Sequence, residues 1–231
     1  MLLGFCISAL LSSILIPIII QICNRFKIFD FPNYRKEHKE PISRLGGLAI
    51  SISSISAFFI LSKFNFTNIN NLYIDSTLMV IIISTSLVFL LGLIDDLFII
   101  SPFIRLTIQI AIAFYIWSNG INVERIDTLG LINSEGLIIL SPLLSLIFTS
   151  LWIVGLTNAL NWIDGIDGLA ASLTSLALVG NLYLFFLNDN LSFALLMIVV
   201  LSSSLVFLKF NINKASIIMG DGGSYFLGYL F

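Results

Sequence analysis

The polar stretch from Asn158 to Ala170 carries the densest set of side chains that could do chemistry. Asn158 and Asn161 are three residues apart, so they share one face of a helix. Asp164 and Asp167 repeat that spacing, and each precedes a glycine, which permits close approach of a ligand. A long charge-free run comes before them, and carboxylates at such a boundary are costly unless they have a function. A solvated loop is the weaker interpretation.

Asp95 and Asp96 form an adjacent carboxylate pair at the end of another apolar run. Their charges repel one another, and removal from water disfavours the charged forms further. A divalent cation or a basic neighbour would relieve this repulsion. Taken alone, the pair is equally compatible with the solvated end of a helix.

Asp221 is surrounded by glycines, with Gly220 before it and Gly222, Gly223 and Ser224 after it. Bare backbone next to one carboxylate suits a metal–phosphate site, in which amides and a hydroxyl contact phosphate oxygens. A glycine-rich turn between helices is the ordinary alternative.

Six cations lie between Arg25 and Arg44. Most of them are explained by membrane topology, because cytoplasmic loops carry an excess of Lys and Arg. Lys39 and Arg44, which flank Pro41 and precede a Gly-Gly pair, are the better candidates for phosphate contacts. His38, the single histidine, is either a site residue or a solvated loop side chain.

The composition is typical of a protein embedded in a lipid bilayer. Hydrophobic residues make up 58% of the 231 positions, charged residues 10%, and the mean hydropathy is +1.06. Soluble domains carry about 25% charged residues. The net charge of −2 argues against a nucleic-acid partner, which would require a basic excess.

Apolar runs long enough to cross a bilayer recur along the chain. They predict an all-α polytopic membrane protein with about seven complete transmembrane helices and an eighth cut short, because continuous runs do not match the alternating pattern of a barrel. The predicted spans are 2–22, 46–62, 77–94, 103–118, 137–157, 169–187 and 192–208, with a further start near 222.

Charge placement orients these helices. All Lys and Arg residues except Lys63 and Arg125 fall on one side, which is therefore predicted to be cytosolic, with the N-terminus external. The four polar islands then share that cytosolic side. The external segment from Ile121 to Glu135 is β-prone and predicts a small hairpin.

The four islands together resemble the MraY/WecA-type family of polyprenyl-phosphate N-acetylhexosamine-1-phosphate transferases, which is related to glycosyltransferase family 4. That family carries a basic loop with Pro and Gly-Gly, an Asp-Asp pair, an N-x-x-N-x-x-D-G-x-D-G-L-A stretch and a later G-D-x-G-S, in this order. The similarity extends from about Asp30 to the end of the chain. The segment Phe31–His38 is closer to the envelope-polysaccharide branch than to the peptidoglycan enzyme.

The resemblance implies transfer of an amino-sugar-1-phosphate from a UDP-sugar to polyprenyl phosphate, which releases UMP. It implies Mg²⁺, with Mn²⁺ as an alternative, held by Asp221 and Asn161. It also implies an inner-membrane location with a cytosolic active site, contact with membrane lipid, and a homodimer as one assembly. The remaining roles are catalysis by Asp95, Asp96 and Asp164, and substrate binding by His38, Lys39, Arg44, Asn158, Asp167, Gly222 and Ser224.

One departure from the family concerns length. Family members usually continue for two or three more helices and a histidine-rich loop, whereas this chain stops at Phe231. We therefore expect a single membrane domain, 1–231, that is incomplete at its C-terminus. Three other functions stay open: a transporter or channel with acidic residues in an ion path, a CDP-alcohol phosphotransferase, and an inactive fragment.

Overall fold

The computed structural model describes residues 1–31, 41–64, 75–127, 137–212 and 214–231. These residues form eight helices and four short strands, so the predicted all-α fold is confirmed. The helices are α1 (Leu2–Phe26), α2 (Gly46–Phe64), α3 (Ser76–Phe98), α4 (Pro102–Ser118), α5 (Pro142–Ile163), α6 (Leu169–Leu187), α7 (Leu191–Asn211) and α8 (Gly220–Tyr229). The strands are β1 (Phe29–Asp30), β2 (Ile42–Ser43), β3 (Arg125–Asp127) and β4 (Leu137–Ile139).

Six of the described helices, α1, α2, α3, α5, α6 and α7, are long and apolar enough to cross a membrane. The predicted span 103–118 exists as α4, which has 17 residues. At 1.5 Å per residue its length is about 26 Å, slightly less than the hydrocarbon thickness of about 30 Å. The predicted eighth helix begins at Gly220 and has 10 residues.

The predicted span 137–157 is wrong at both ends. Leu137 to Ile139 form strand β4, which pairs antiparallel with β3 in the register Arg125↔Ile139. The helix begins only at Pro142, where the ring suits the first helical position, and it continues to Ile163. The hairpin predicted from the β-prone segment is present as β3 and β4, while residues 128–136 lie outside the described residues.

Two helices organise the packing. α7 contacts α1, α2 and α6, and most of its length is buried. Serine hydroxyls lie at the α1–α7 interface, where Ser8 Oγ donates to the carbonyl of Val199 at 2.6 Å, and at the α1–α2 interface, where the hydroxyls of Ser12 and Ser53 lie 2.7 Å apart. Small polar residues of this kind allow close helix approach in lipid. α8, in turn, packs against α3, α5 and α2.

Two backbone hydrogen bonds, here called the backbone clip, join the first residues of α2 to the segment before α8. The amide of Gly46 donates to the carbonyl of Ile218 at 3.0 Å, and the amide of Gly47 donates to that of Met219 at 2.7 Å. These bonds satisfy two of the free amides at the start of α2. The clip therefore positions Arg44 beside the first turn of α8.

Candidate active site

The N-terminus of α8 is held by carboxylates from two other helices. Asp96, near the end of α3, accepts from the amides of Asp221 and Gly222, each at 2.9 Å. Asp164, which follows α5, accepts from the amide of Gly220 at 2.9 Å. A helix leaves its first amides without internal partners, so these carboxylates complete the helix end. They also draw the ends of α3 and α5 together around α8.

This arrangement differs from the expectation for the glycine-rich segment. The sequence predicted that the amides near Gly222 would contact phosphate oxygens, but in the structure they donate to protein carboxylates. Gly220 has φ of 74°, and an added β-carbon would collide with the carbonyl of Arg44 and the carboxylate of Asp96. The glycine therefore permits the tight start of α8 and its approach to Arg44.

Asp221 lies at the centre of the cluster, and its side chain remains 15% exposed. Asn161 Nδ2 donates to its Oδ1 at 2.6 Å, and Arg44 Nη2 donates to its Oδ2 at 3.0 Å. The predicted pair of metal-binding residues, Asp221 and Asn161, is thus in direct contact. Asn161 Nδ2 also donates to the buried hydroxyl of Ser224 at 3.0 Å, so Ser224 helps to fix the orientation of the Asn161 amide.

Arg44 joins two of the acidic residues. Its Nε lies 2.7 Å from Asp96 Oδ1, while its Nη2 reaches Asp221. Burial lowers the pKa of Arg44, but the carboxylates of Asp96 and Asp221 outweigh this and raise it above its usual value. Arg44 therefore remains a cation in the cluster, as its predicted phosphate-binding role requires.

Arg105 is a site residue that the sequence analysis missed, because it was counted only as a topology-setting charge. Its Nη1 lies 2.6 Å from Asp95 Oδ2, 3.4 Å from the hydroxyl of Tyr225 and 4.0 Å from Asp221 Oδ2. Asp95 Oδ1 also accepts from the amide of Ile100 at 2.6 Å. One signal was available: Arg105 is the only Lys or Arg between Lys63 and Arg125.

Asp167, the second aspartate of the α5–α6 connection, has a partner outside the central cluster. Asp167 Oδ2 accepts from the amide of Ala215 at 3.0 Å, which ties this connection to the segment before α8. Asn211, at the end of α7, accepts from the amide of Gly168 at 3.0 Å and holds the same connection. Burial raises the pKa of Asp164 well above its usual range, although the amide of Gly220 opposes the rise.

One predicted substrate-binding residue, Asn158, lies apart from the central cluster. Asn158, one turn before Asn161 on α5, donates to Gln109 Oε1 at 2.7 Å. Lys39 and His38 fall within 32–40, outside the described residues. The described cluster therefore consists of four aspartates, two arginines and Asn161.

The charges and donor atoms of this cluster fit a divalent cation. Among the described residues, the three carboxylates of Asp95, Asp96 and Asp221 share two arginines, Arg44 and Arg105, so oxygen ligands outnumber the cations of this cluster. Within the described ranges, no three acidic, cysteine or histidine side chains form a complete metal cage. Mg²⁺ does not require one, because it is usually held by one or two carboxylates together with water and substrate phosphates.

Comparison with known proteins finds relatives along most of the chain. The model of glycosyl transferase family 4 matches residues 78–231. A probable undecaprenyl-phosphate N-acetylglucosaminyl 1-phosphate transferase of Bacillus subtilis is 32% identical, over 98% of this chain and 60% of the relative. A decaprenyl-phosphate N-acetylglucosaminephosphotransferase of Mycolicibacterium smegmatis is 30% identical, over 89% and 52%.

A phospho-N-acetylmuramoyl-pentapeptide-transferase of Staphylococcus saprophyticus is also 30% identical, over 97% of this chain and 72% of the relative. The chain spans 60% and 52% of the length of the Bacillus and Mycolicibacterium relatives. The matched region contains Asp95, Asn161 and Asp221, the residues that meet at α8. The chain belongs to glycosyl transferase family 4.

Proposed function

We propose that this chain transfers a sugar-1-phosphate from a UDP-linked amino sugar to polyprenyl phosphate. The products are polyprenyl-diphospho-sugar, for envelope polysaccharide synthesis, and UMP. The observation that carries the proposal is the contact of Asp221 with both Asn161 and Arg44, in a chain whose relatives bear names of polyprenyl-phosphate sugar-phosphate transferases.

The reaction joins two anions. An oxygen of polyprenyl phosphate attacks the β-phosphorus of the UDP-sugar, the bond from that phosphorus to the bridging oxygen breaks, and UMP leaves with the oxygen. Arg44 and Arg105 lie 3.0 Å and 4.0 Å from the same oxygen of Asp221, Oδ2, and supply fixed positive charge for the phosphates. Preoriented charge of this kind stabilises phosphoryl transfer because little covalent chemistry is left to the protein.

Asp221 and Asn161 are the proposed holders of Mg²⁺. The Asn161 amide donates through its nitrogen, and its oxygen keeps its capacity as a ligand. Bound there, Mg²⁺ would screen the diphosphate charge and stabilise the leaving UMP.

Asp95 is the proposed partner of the acceptor phosphate. Arg105 and the Ile100 amide fix its two oxygens, so its orientation is defined before substrate binds. It either removes the last proton from the acceptor phosphate or orients the dianion, since phosphate monoesters have a second pKa of about 6. Asp96 and Asp164 support this step by holding the start of α8, while Asp167 and Asn158 contribute to substrate binding.

We further propose that the protein lies in the inner membrane with its active site facing the cytosol. The positive charge around α1, α2, α4 and α7 supports this orientation, because Arg25, Arg44, Arg105 and Lys209 lie at the end that carries the acidic cluster. A homodimer remains a prediction. Ion transport finds less support, because the carboxylates gather at one end of the bundle and not near its middle.

A labelled-exchange assay tests the proposal. Membranes containing the 231-residue chain are supplied with polyprenyl phosphate, Mg²⁺ and sugar-labelled UDP-N-acetylglucosamine or another UDP-amino sugar. We expect lipid-linked label and equimolar UMP, both abolished by EDTA. Absence of lipid-linked label across the UDP-amino sugars, with the protein folded in the membrane, would refute the proposed activity of this chain.

A further inference from the structure

Gln109 is a buried amide with half of its hydrogen-bonding capacity unused. The side chain is 2% exposed and lies on α4, facing α5. Its Oε1 accepts from Asn158 Nδ2 at 2.7 Å, whereas its Nε2 has no partner among the described residues. A buried donor without a partner is destabilising by roughly 1–3 kcal/mol. Such a group points to a partner that the described part of the chain does not supply.

The amide lies next to the acidic cluster, one layer deeper in the bundle. Gln109 follows Arg105 by four residues on α4, so the two share a face, with Gln109 about 6 Å farther along the axis. Asn158 precedes Asn161 by three residues on α5 and lies about 4.5 Å farther from the same end. Gln109 and Asn158 therefore form a neutral polar layer below the charged layer of Arg105 and Asn161.

The two substrates reach the cluster from different depths in the membrane. A UDP-sugar is soluble in water and reaches the cluster from the polar end of the bundle. Polyprenyl phosphate is anchored in the bilayer, so its phosphate reaches the same cluster from the membrane side. A donor below Arg105 is therefore closer to the path of the lipid-borne phosphate than to that of the nucleotide.

We propose that Gln109 Nε2 donates a hydrogen bond to a phosphate oxygen of the lipid acceptor, next to Arg105. This inference rests on the proposed function and names the residue that recognises one of its two substrates. Asn158 is the positioning partner, because it donates to Gln109 Oε1 and to the carbonyl of Val154 at 2.8 Å. With Oε1 committed to Asn158, the amide must present its NH₂ group to the ligand.

Steady-state kinetics and ligand binding test the role. Gln109→Met keeps the length of an unbranched side chain and removes both amide atoms. We expect the KM for polyprenyl phosphate to rise about tenfold, the loss expected for a hydrogen bond to a charged group, with the KM for the UDP-sugar changed less than twofold. Thr107→Val is the matched control, because Thr107 is exposed on the same helix and donates only to the carbonyl of Phe103.

Binding of farnesyl phosphate, measured as a rise in melting temperature, tests the role without catalytic turnover. It should raise the melting temperature of the wild-type chain and of Thr107→Val, and raise that of Gln109→Met much less. Gln109→Glu is the second variant, because it retains an acceptor for Asn158 Nδ2 but presents an anion to the phosphate. Farnesyl phosphate should not raise the melting temperature of this variant.

The outcomes are distinguishable. A raised KM for the UDP-sugar alone would mean that the amide binds the donor diphosphate, and the proposal would be wrong. Unchanged KM values and an unchanged farnesyl phosphate shift in both Gln109 variants would leave Gln109 as a packing residue. A wild-type chain without transferase activity would refute the proposed function, while the farnesyl phosphate shift would still decide the role of Gln109.

Discussion

Arg105 Nη1 lies 2.6 Å from Asp95 Oδ2, which links the first turn of α4 to the last turn of α3. The Asp95 side chain is 4% exposed, so this guanidinium is the main source of compensation for its charge. A buried carboxylate that loses its cation is left uncompensated, and this is more costly than the loss of a surface pair. The ion pair therefore places Arg105 in the same cluster as the predicted acidic residues.

Replacement of Arg105 by Met should reduce transfer on the order of 10²-fold, because the acceptor phosphate loses a fixed cation and Asp95 loses its orientation. Initial rates at saturating donor measure the effect. Arg125→Met is the control, since Arg125 is exposed in β3. Equal rates in the two variants would remove Arg105 from the site.

Asp221→Asn should abolish the response of the rate to Mg²⁺ and reduce transfer on the order of 10³-fold. The reason is that the variant loses the one carboxylate in contact with Asn161. Rates measured across a Mg²⁺ titration test this, with Asp189→Asn as control because Asp189 is exposed and has φ of 53°, which Asn tolerates. A wild-type Mg²⁺ response in Asp221→Asn would contradict the metal assignment.

Asp96→Ala should lower stability by about 3 kcal/mol, since two amides of α8 and the Arg44 guanidinium lose their partner together. Asp75→Ala is the comparison, because Asp75 caps α3 through a single bond to the amide of Leu78 and its loss should cost about 1 kcal/mol. Unfolding in detergent gives both values. Similar losses in the two variants would show that Asp96 does not hold α8.

Ile99→Asn should stabilise the protein by about 1 kcal/mol. Ile99 follows α3 with φ of 50° and ψ of 89°, a backbone region that β-branched residues avoid and Asn tolerates. Its side chain is 85% exposed, so little packing is lost. Thermal unfolding tests this against Ile99→Val, which keeps the branched side chain and should show no gain; a gain in Ile99→Val equal to that of Asn would exclude backbone relief as the cause.

Gly47→Ala should destabilise the protein by more than about 2 kcal/mol, because a β-carbon at this position would overlap the backbone of Gly223 where α2 meets α8. Gly180→Ala, in the middle of α6, has open space around the new methyl and should leave the melting temperature unchanged or slightly higher. Loss of stability in Gly180→Ala and not in Gly47→Ala would contradict the packing of α8 against α2.

The sequence predicted which polar segments meet. Hydropathy gives the order of the helices. Because successive helices cross the membrane in opposite directions, the ends of α3 and α5 lie on the same side as the start of α8. The contact of Asn161 with Asp221, across 60 positions, follows from that topology. The same reasoning explains why Asp95, Asp96 and Asp164 were predicted with them. Each lies directly at a helix end, where an apolar run stops.

Partners within the apolar runs were not predictable in the same way. Gln109 lies inside α4, where a single amide hardly changes the hydropathy of the run, and its function depends on facing Asn158. Strand β4 continues the apolar pattern of α5, and its pairing with β3 together with the helix start at Ser141 and Pro142 separates the two. The capping of α8 by Asp96 also depends on tertiary geometry, since the two segments are 125 positions apart.

The position of a phosphorus label tests the central claim most directly. The chain is given polyprenyl phosphate, Mg²⁺ and a UDP-amino sugar labelled with ³²P at the β-phosphate. Transfer of sugar-1-phosphate predicts that the label moves into the lipid product and that the released UMP is unlabelled. Recovery of the label in UDP, with sugar on the lipid, would show that the chain transfers the sugar alone and would contradict the account.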